Sequence, residues 1–121
     1  MSAEAFVDAA TQGDEATVRR VLLSRSVDPN VLDPKSGGTA LLGAAFLGHA
    51  SVMTLLLADD RVDPNIADQN GSTALMIAAD KGHTSVVTLL LADDRVDPNM
   101  ASQIGGTALI YADDKGHASV V

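Results

Sequence analysis

Acidic side chains are crowded into one short stretch that the chain spells twice, LADDRVDPN at Leu57–Asn65 and again at Leu91–Asn99. Carboxylates this close invite a calcium loop. Such a loop needs ligands alternating along the chain, a central glycine and a terminal bidentate glutamate. The first copy offers Asp59, Asp60 and Asp63 and then Pro64, with no glycine or glutamate, and Arg61 stands among the carboxylates to compete for them. The stretch therefore reads as a helix C-terminal turn stopped by proline, with solvated side chains and Asn65 satisfying local backbone. Three histidines at one interval, His49, His83 and His117, suggest a metal row. Helix packing sets equivalent residues about 10 Å apart, whereas histidine ligands sit at about 2 Å from zinc. One ion cannot span them, and the expected role is structural, in the turn between helices.

Catalytic chemistry finds no pattern to rest on. Cysteine is absent, which removes disulfides, thiolate zinc sites and a thiol nucleophile. No nucleophile elbow, H-E-x-x-H or phosphate-cradling G-x-x-x-x-G-K occurs. Asp80-Lys81 and Asp114-Lys115 read as solvated helix ends. Asn70-Gly71-Ser72 fits a glycosylation sequon, but MSAEAFVDAATQGDE has no secretory pattern, so it reads as a hairpin tip. The expectation is a non-enzyme without cofactor, metal or small-molecule substrate. A net charge of −8 opposes binding to nucleic-acid phosphates. The apolar runs are too short and interrupted to span a membrane. A soluble cytoplasmic protein is expected, with the nucleus left open.

These residues need elements to hold them, and the elements recur. GGTAL at Gly37 returns as GSTAL at Gly71 and GGTAL at Gly105, each 34 residues on. A diverged earlier copy, 9–30, aligns with 44–65 without a gap. The domain thus spans 1–121 as repeats of about 1–36, 37–70 and 71–104, with 105–121 a partial fourth. Thr39, Thr73 and Thr107 are N-cap candidates, and Gly48, Gly82 and Gly116 stop the first helix of each unit. A second apolar segment follows, with Val86, Leu89 and Leu90 at helical spacing, and then Asp-Pro-Asn ends it. Neither helix reaches the roughly 12–15 residues that an isolated helix needs, so the units must hold one another.

Asp68, Gly71, Thr73, Leu75, Ala78, Ala79, Gly82, His83, Val86, Val87 and Leu89 to Leu91 resemble the pattern of ankyrin repeats. That resemblance implies an all-α solenoid of stacked antiparallel helix pairs, L-shaped in section, with hairpin-like loops projecting from one side. It also implies protein binding through the loop tips and the exposed first-helix positions. The chain departs from the pattern where Pro-Leu-His becomes Ala40-Leu41-Leu42, Ala74-Leu75-Met76 and Ala108-Leu109-Ile110, and where the loop before Asn is one residue longer.

Because the repeats are so alike, their differing columns point to specificity. These are Gly43/Ile77/Tyr111, Phe46/Asp80/Asp114 and Leu47/Lys81/Lys115, with the tips Pro34-Lys35-Ser36, Gln69-Asn70 and Gln103-Ile104. Phe46 and Leu47 stand where later repeats carry Asp-Lys. Either they anchor a partner or they pack beneath the VLDPKSG hairpin. The expected surface comprises Lys35, Phe46, Leu47, Gln69, Asn70, Ile77, Asp80, Lys81, Gln103, Ile104, Tyr111, Asp114 and Lys115, facing an unidentified protein. The sequence stops at KGHASVV, within a second helix. A second reading follows, in which Asp113-Asp114 ease exposure of the last first helix but leave an apolar face around Val86 and Leu90 open. The chain is then a self-associating fragment of a longer array, a homodimer through its C-terminal end.

Overall fold

The computed structural model describes residues 1–97. Six helices appear there: α1 (Ala3–Thr11), α2 (Glu15–Ser24), α3 (Ala40–Leu47), α4 (Ala50–Ala58), α5 (Ala74–Lys81) and α6 (Thr84–Leu91). No strand occurs among the described residues. Thr107, Gly116, His117 and the partial repeat lie outside them.

Local chemistry sets the helix ends. Thr39 and Thr73, both buried, accept hydrogen bonds from the amides of Leu42 and Met76, so each inner helix starts on a satisfied cap. Gly48 and Gly82 end those helices at φ of 76° and 74°, a left-handed conformation that a Cβ disfavours. The next helix begins after a single further residue, His49 or His83, which leaves room only for an antiparallel neighbour.

Stacking makes two rows. The inner row runs α1–α3–α5 and the outer row α2–α4–α6, each helix packing along its row and against its own partner. Ala9, Ala10, Ala44, Ala45, Ala78 and Ala79 are buried in the inner row. Such small side chains let helices approach closely. Gly43 takes this furthest: a Cβ there would collide with the Thr11 hydroxyl of the preceding helix. Its difference from Ile77 is therefore partly a packing requirement rather than a free choice of surface.

Larger side chains fill the space between the rows: Phe6, Val18, Met53, Leu56, Val86 and Leu90 are fully buried. This corrects the expectation of an open face at Val86 and Leu90. They occupy the columns of Val52 and Leu56 and join the same continuous core. In the last described helix it is Leu91 that is exposed. The loops close like hairpins without forming strands: the Asp33 amide donates to the Gly38 carbonyl, and that of Asp68 to Ser72.

Candidate partner-binding surface

The surface is only as well positioned as the joints beneath it, and the duplicated LADDRVDPN supplies those joints. Asp59 receives the Arg61 guanidinium at 2.7 Å on Oδ2 and 3.0 Å on Oδ1. Arg61 then reaches into the preceding repeat and donates to the Leu22 carbonyl at 3.1 Å. The next copy repeats the device more fully. Arg95 is held by Asp93 at 2.7 Å and donates to the carbonyls of Leu57 at 2.7 Å and Val62 at 2.6 Å. Leu22 and Leu57 lie in the last turns of α2 and α4, where helix carbonyls lack partners of their own.

Asparagine works in the opposite direction. Asn30 Nδ2 donates to the Arg61 carbonyl while its Oδ1 accepts from the Asp63 amide. Asn65 does the same to Arg95 and Asp97. The expectation of solvated aspartates holds for Asp60 and Asp63, which are exposed, and is corrected for Asp59 and for a locally bonded Asn65. Asp59 and Asp93 are largely sheltered, and the asparagine amides bridge to the following repeat. Hydrogen bonds from Arg61 and Arg95, outweighing the opposing effect of burial, hold the Asp59 and Asp93 carboxyls below their ordinary value.

The histidines join repeats too. His49 lies against Gly13, and His83 against Gly48. His83 Nε2 also sits 3.0 Å from the Phe46 carbonyl oxygen. The expected structural role in the turn extends across the repeat boundary.

On this frame the inner helices present a cleft of about 220 Å³, bordered by Phe46, Met76, Ile77, Asp80 and Lys81, with Asp68 and Ser72 at its loop edge. Phe46 is 48% exposed, so it is not packed away beneath the VLDPKSG hairpin. The Lys81 ammonium stands 4.8 Å from the centre of its ring, within cation–π range. A second groove continues from Phe46 and Ile77 past Gly43 and Thr39 to Thr11 and Val7. Phe46, Ile77, Asp80 and Lys81 therefore share one surface. Leu47 is equally exposed but borders neither groove. Lys35, at the first tip, pairs with Glu4 at 3.0 Å. Gln69 leans on Gly37 of the preceding tip, and Asn70 is exposed with its amide bonded to Asp68. Gln103, Ile104, Tyr111, Asp114 and Lys115 lie outside the described residues.

A family model of ankyrin repeats in three copies matches residues 6–102 and, in a second overlapping match, 44–121. The chain belongs to the ankyrin-repeat family. No curated protein matches it. Ankyrin repeats are generally protein–protein interaction modules and are typically non-catalytic. No helix among the described residues is long and apolar enough to cross a membrane.

Within this ankyrin surface, sequence reasoning passed over Asp68, Ser72 and Met76. Asp68 and Ser72 are loop positions tied to one another, the Asp68 carboxylate accepting from the amides of Asn70 and Ser72. Asp68 was legible as a scaffold residue of the ankyrin pattern. That the same carboxylate edges the cleft has no signature in the repeat spacing. Met76 is almost fully buried and forms the cleft floor.

Proposed function

We propose that this ankyrin-repeat chain is a non-catalytic interaction module that binds a protein partner through the cleft on its inner helices and the adjoining loop tips. One observation carries the reading. Phe46, the exposed member of a column that is aspartate in the next repeat, sits at the mouth of a cleft shared with Lys81 and Ile77. A half-exposed aromatic ring beside an apolar floor is the kind of anchor that dominates interface energetics. Charge at Asp80 and Lys81 then selects among apolar partners. The homodimer reading needs an open apolar face around Val86 and Leu90; both are buried, which leaves that reading without support among the described residues.

The test is partner capture from a native extract with the wild-type chain, Phe46→Ala and Lys81→Ala, each first shown to melt normally. The expected result is a protein retained by the wild type and lost with Phe46→Ala. Equal retention by all three removes the cleft from the interface.

A further inference from the structure

Repeat 1 departs from its successors on the outer row, far from the cleft. Arg19, Arg20, Leu23 and Arg25 stand where repeat 2 has Thr54, Leu55, Ala58 and Asp60, and repeat 3 has Thr88, Leu89, Ala92 and Asp94. Each of these four changes adds positive charge or apolar bulk to a chain of net charge −8, while Glu15, in place of Ala50 and Thr84, adds one negative charge to the same helix. Leu23 is 76% exposed, the most exposed of the large apolar side chains described.

Three of them, Arg19, Leu23 and Arg25, meet in a groove between α2 and α4 of about 220 Å³, which Leu22, Leu55 and Ala58 also line. Asp59 also borders it, but its carboxylate is committed to Arg61. Arg19 makes a 3.0 Å ion pair with Glu15, both side chains about half exposed. Such a surface pair is weak and easily exchanged for another carboxylate. Arg25 makes no ion pair among the described residues, though its charge is felt by Asp59 across the groove. It closes α2 at φ 54°, the sole non-glycine residue with positive φ among those described. That conformation costs any residue with a Cβ, and here it serves as an ordinary left-handed helix end.

We infer that this outer groove is a second docking surface, for an acidic peptide segment that places one apolar side chain between Leu23 and Leu55 and carboxylates against Arg25 and Arg19. The inference stands apart from the inner cleft. Charge complementarity names the occupant, and the apolar floor favours a peptide over a phosphate backbone.

Random dodecapeptides displayed on phage are selected on the full chain and counter-selected on a Leu23→Ala/Arg25→Asp variant. That variant carries the residue types of repeats 2 and 3, and aspartate tolerates a left-handed backbone better than arginine, so it folds; a melting curve checks this. The expected peptides pair acidic residues with an aliphatic or aromatic one. They bind the variant at least about ten-fold more weakly, lose affinity in salt, and bind Phe46→Ala unchanged. The proposal is overturned if no peptide is enriched, if the enriched peptides lack acidic residues, if the variant binds them equally, or if oligothymidylate displaces them. Loss with Phe46→Ala instead assigns the peptides to the inner cleft and also overturns it.

Discussion

Arg95 donates to the carbonyl oxygen of Leu57 at 2.7 Å, joining a loop of one repeat to the last helical turn of the repeat before it. The same guanidinium also holds Asp93 and the Val62 carbonyl. A planar fork can serve all three at once, whereas an ammonium on a flexible stem cannot. Arg95→Lys therefore keeps the charge yet lowers the melting temperature, by more than Lys81→Arg on the exposed surface. Thermal unfolding of the two variants checks it, and equal melting would sink the joint as a source of stability.

Asn65 holds the following repeat with both ends of its amide. Asn65→Ala removes two hydrogen bonds, each worth about 0.5–1.5 kcal/mol, so urea unfolding should show a loss of about 1–3 kcal/mol. Asn65→Asp keeps only the acceptor and is expected to be no better.

At Gly48 two costs coincide. A left-handed residue other than glycine costs about 1–2 kcal/mol, and an added Cβ would lie 2.6 Å from His83 Nδ1. Gly48→Ala should destabilise by more than the backbone cost alone. In a His83→Ala background the same substitution should cost less, because the collision is gone. A double-mutant cycle with no coupling contradicts the contact.

Asp59 and Asp93 are held below the ordinary carboxyl value of 3.8 in the folded chain. The unfolded chain thus takes up their protons first. The stability they contribute is complete above the ordinary value and is lost as pH falls through the depressed folded values. Melting temperature should stay level from neutrality to about pH 5 and fall below about pH 4. In an Asp59→Asn/Asp93→Asn variant, melting at neutral pH should be lower and the acid decline shallower.

Much of this was legible in the sequence because it is local. Thr39 and Thr73 as caps, and Gly48 and Gly82 as stops, depend on residue type within one turn. The row of buried alanines follows from the repeat itself. The joints were not legible. Arg61 and Arg95 seek backbone oxygens of another repeat, and an oxygen carried by every residue leaves no mark in the letters. For the same reason Asn65 looked local when its partners lie 30 and 32 residues on. The burial of Val86 and Leu90 was not legible, because spacing shows that a helix has an apolar side, not which neighbours cover it. Phe46 and Phe6 carry the same side chain, one half exposed and one fully buried; only the packing separates them.

A joint whose socket is main chain is indifferent to what is written on the other side. At this joint a unit that brings the aspartate, arginine and asparagine needs no matching side chain in its neighbour; the glycine contacts at Gly43 and Gly48 still demand a match. Copying a unit, deleting one, or exchanging one between related genes then yields a seam that already fits. The near-identity of successive units, and the divergence of exposed inner-helix positions such as Phe46 and Asp80, are what such a joint permits: descent by duplication can run ahead, and recognition can be revised afterwards, one column at a time.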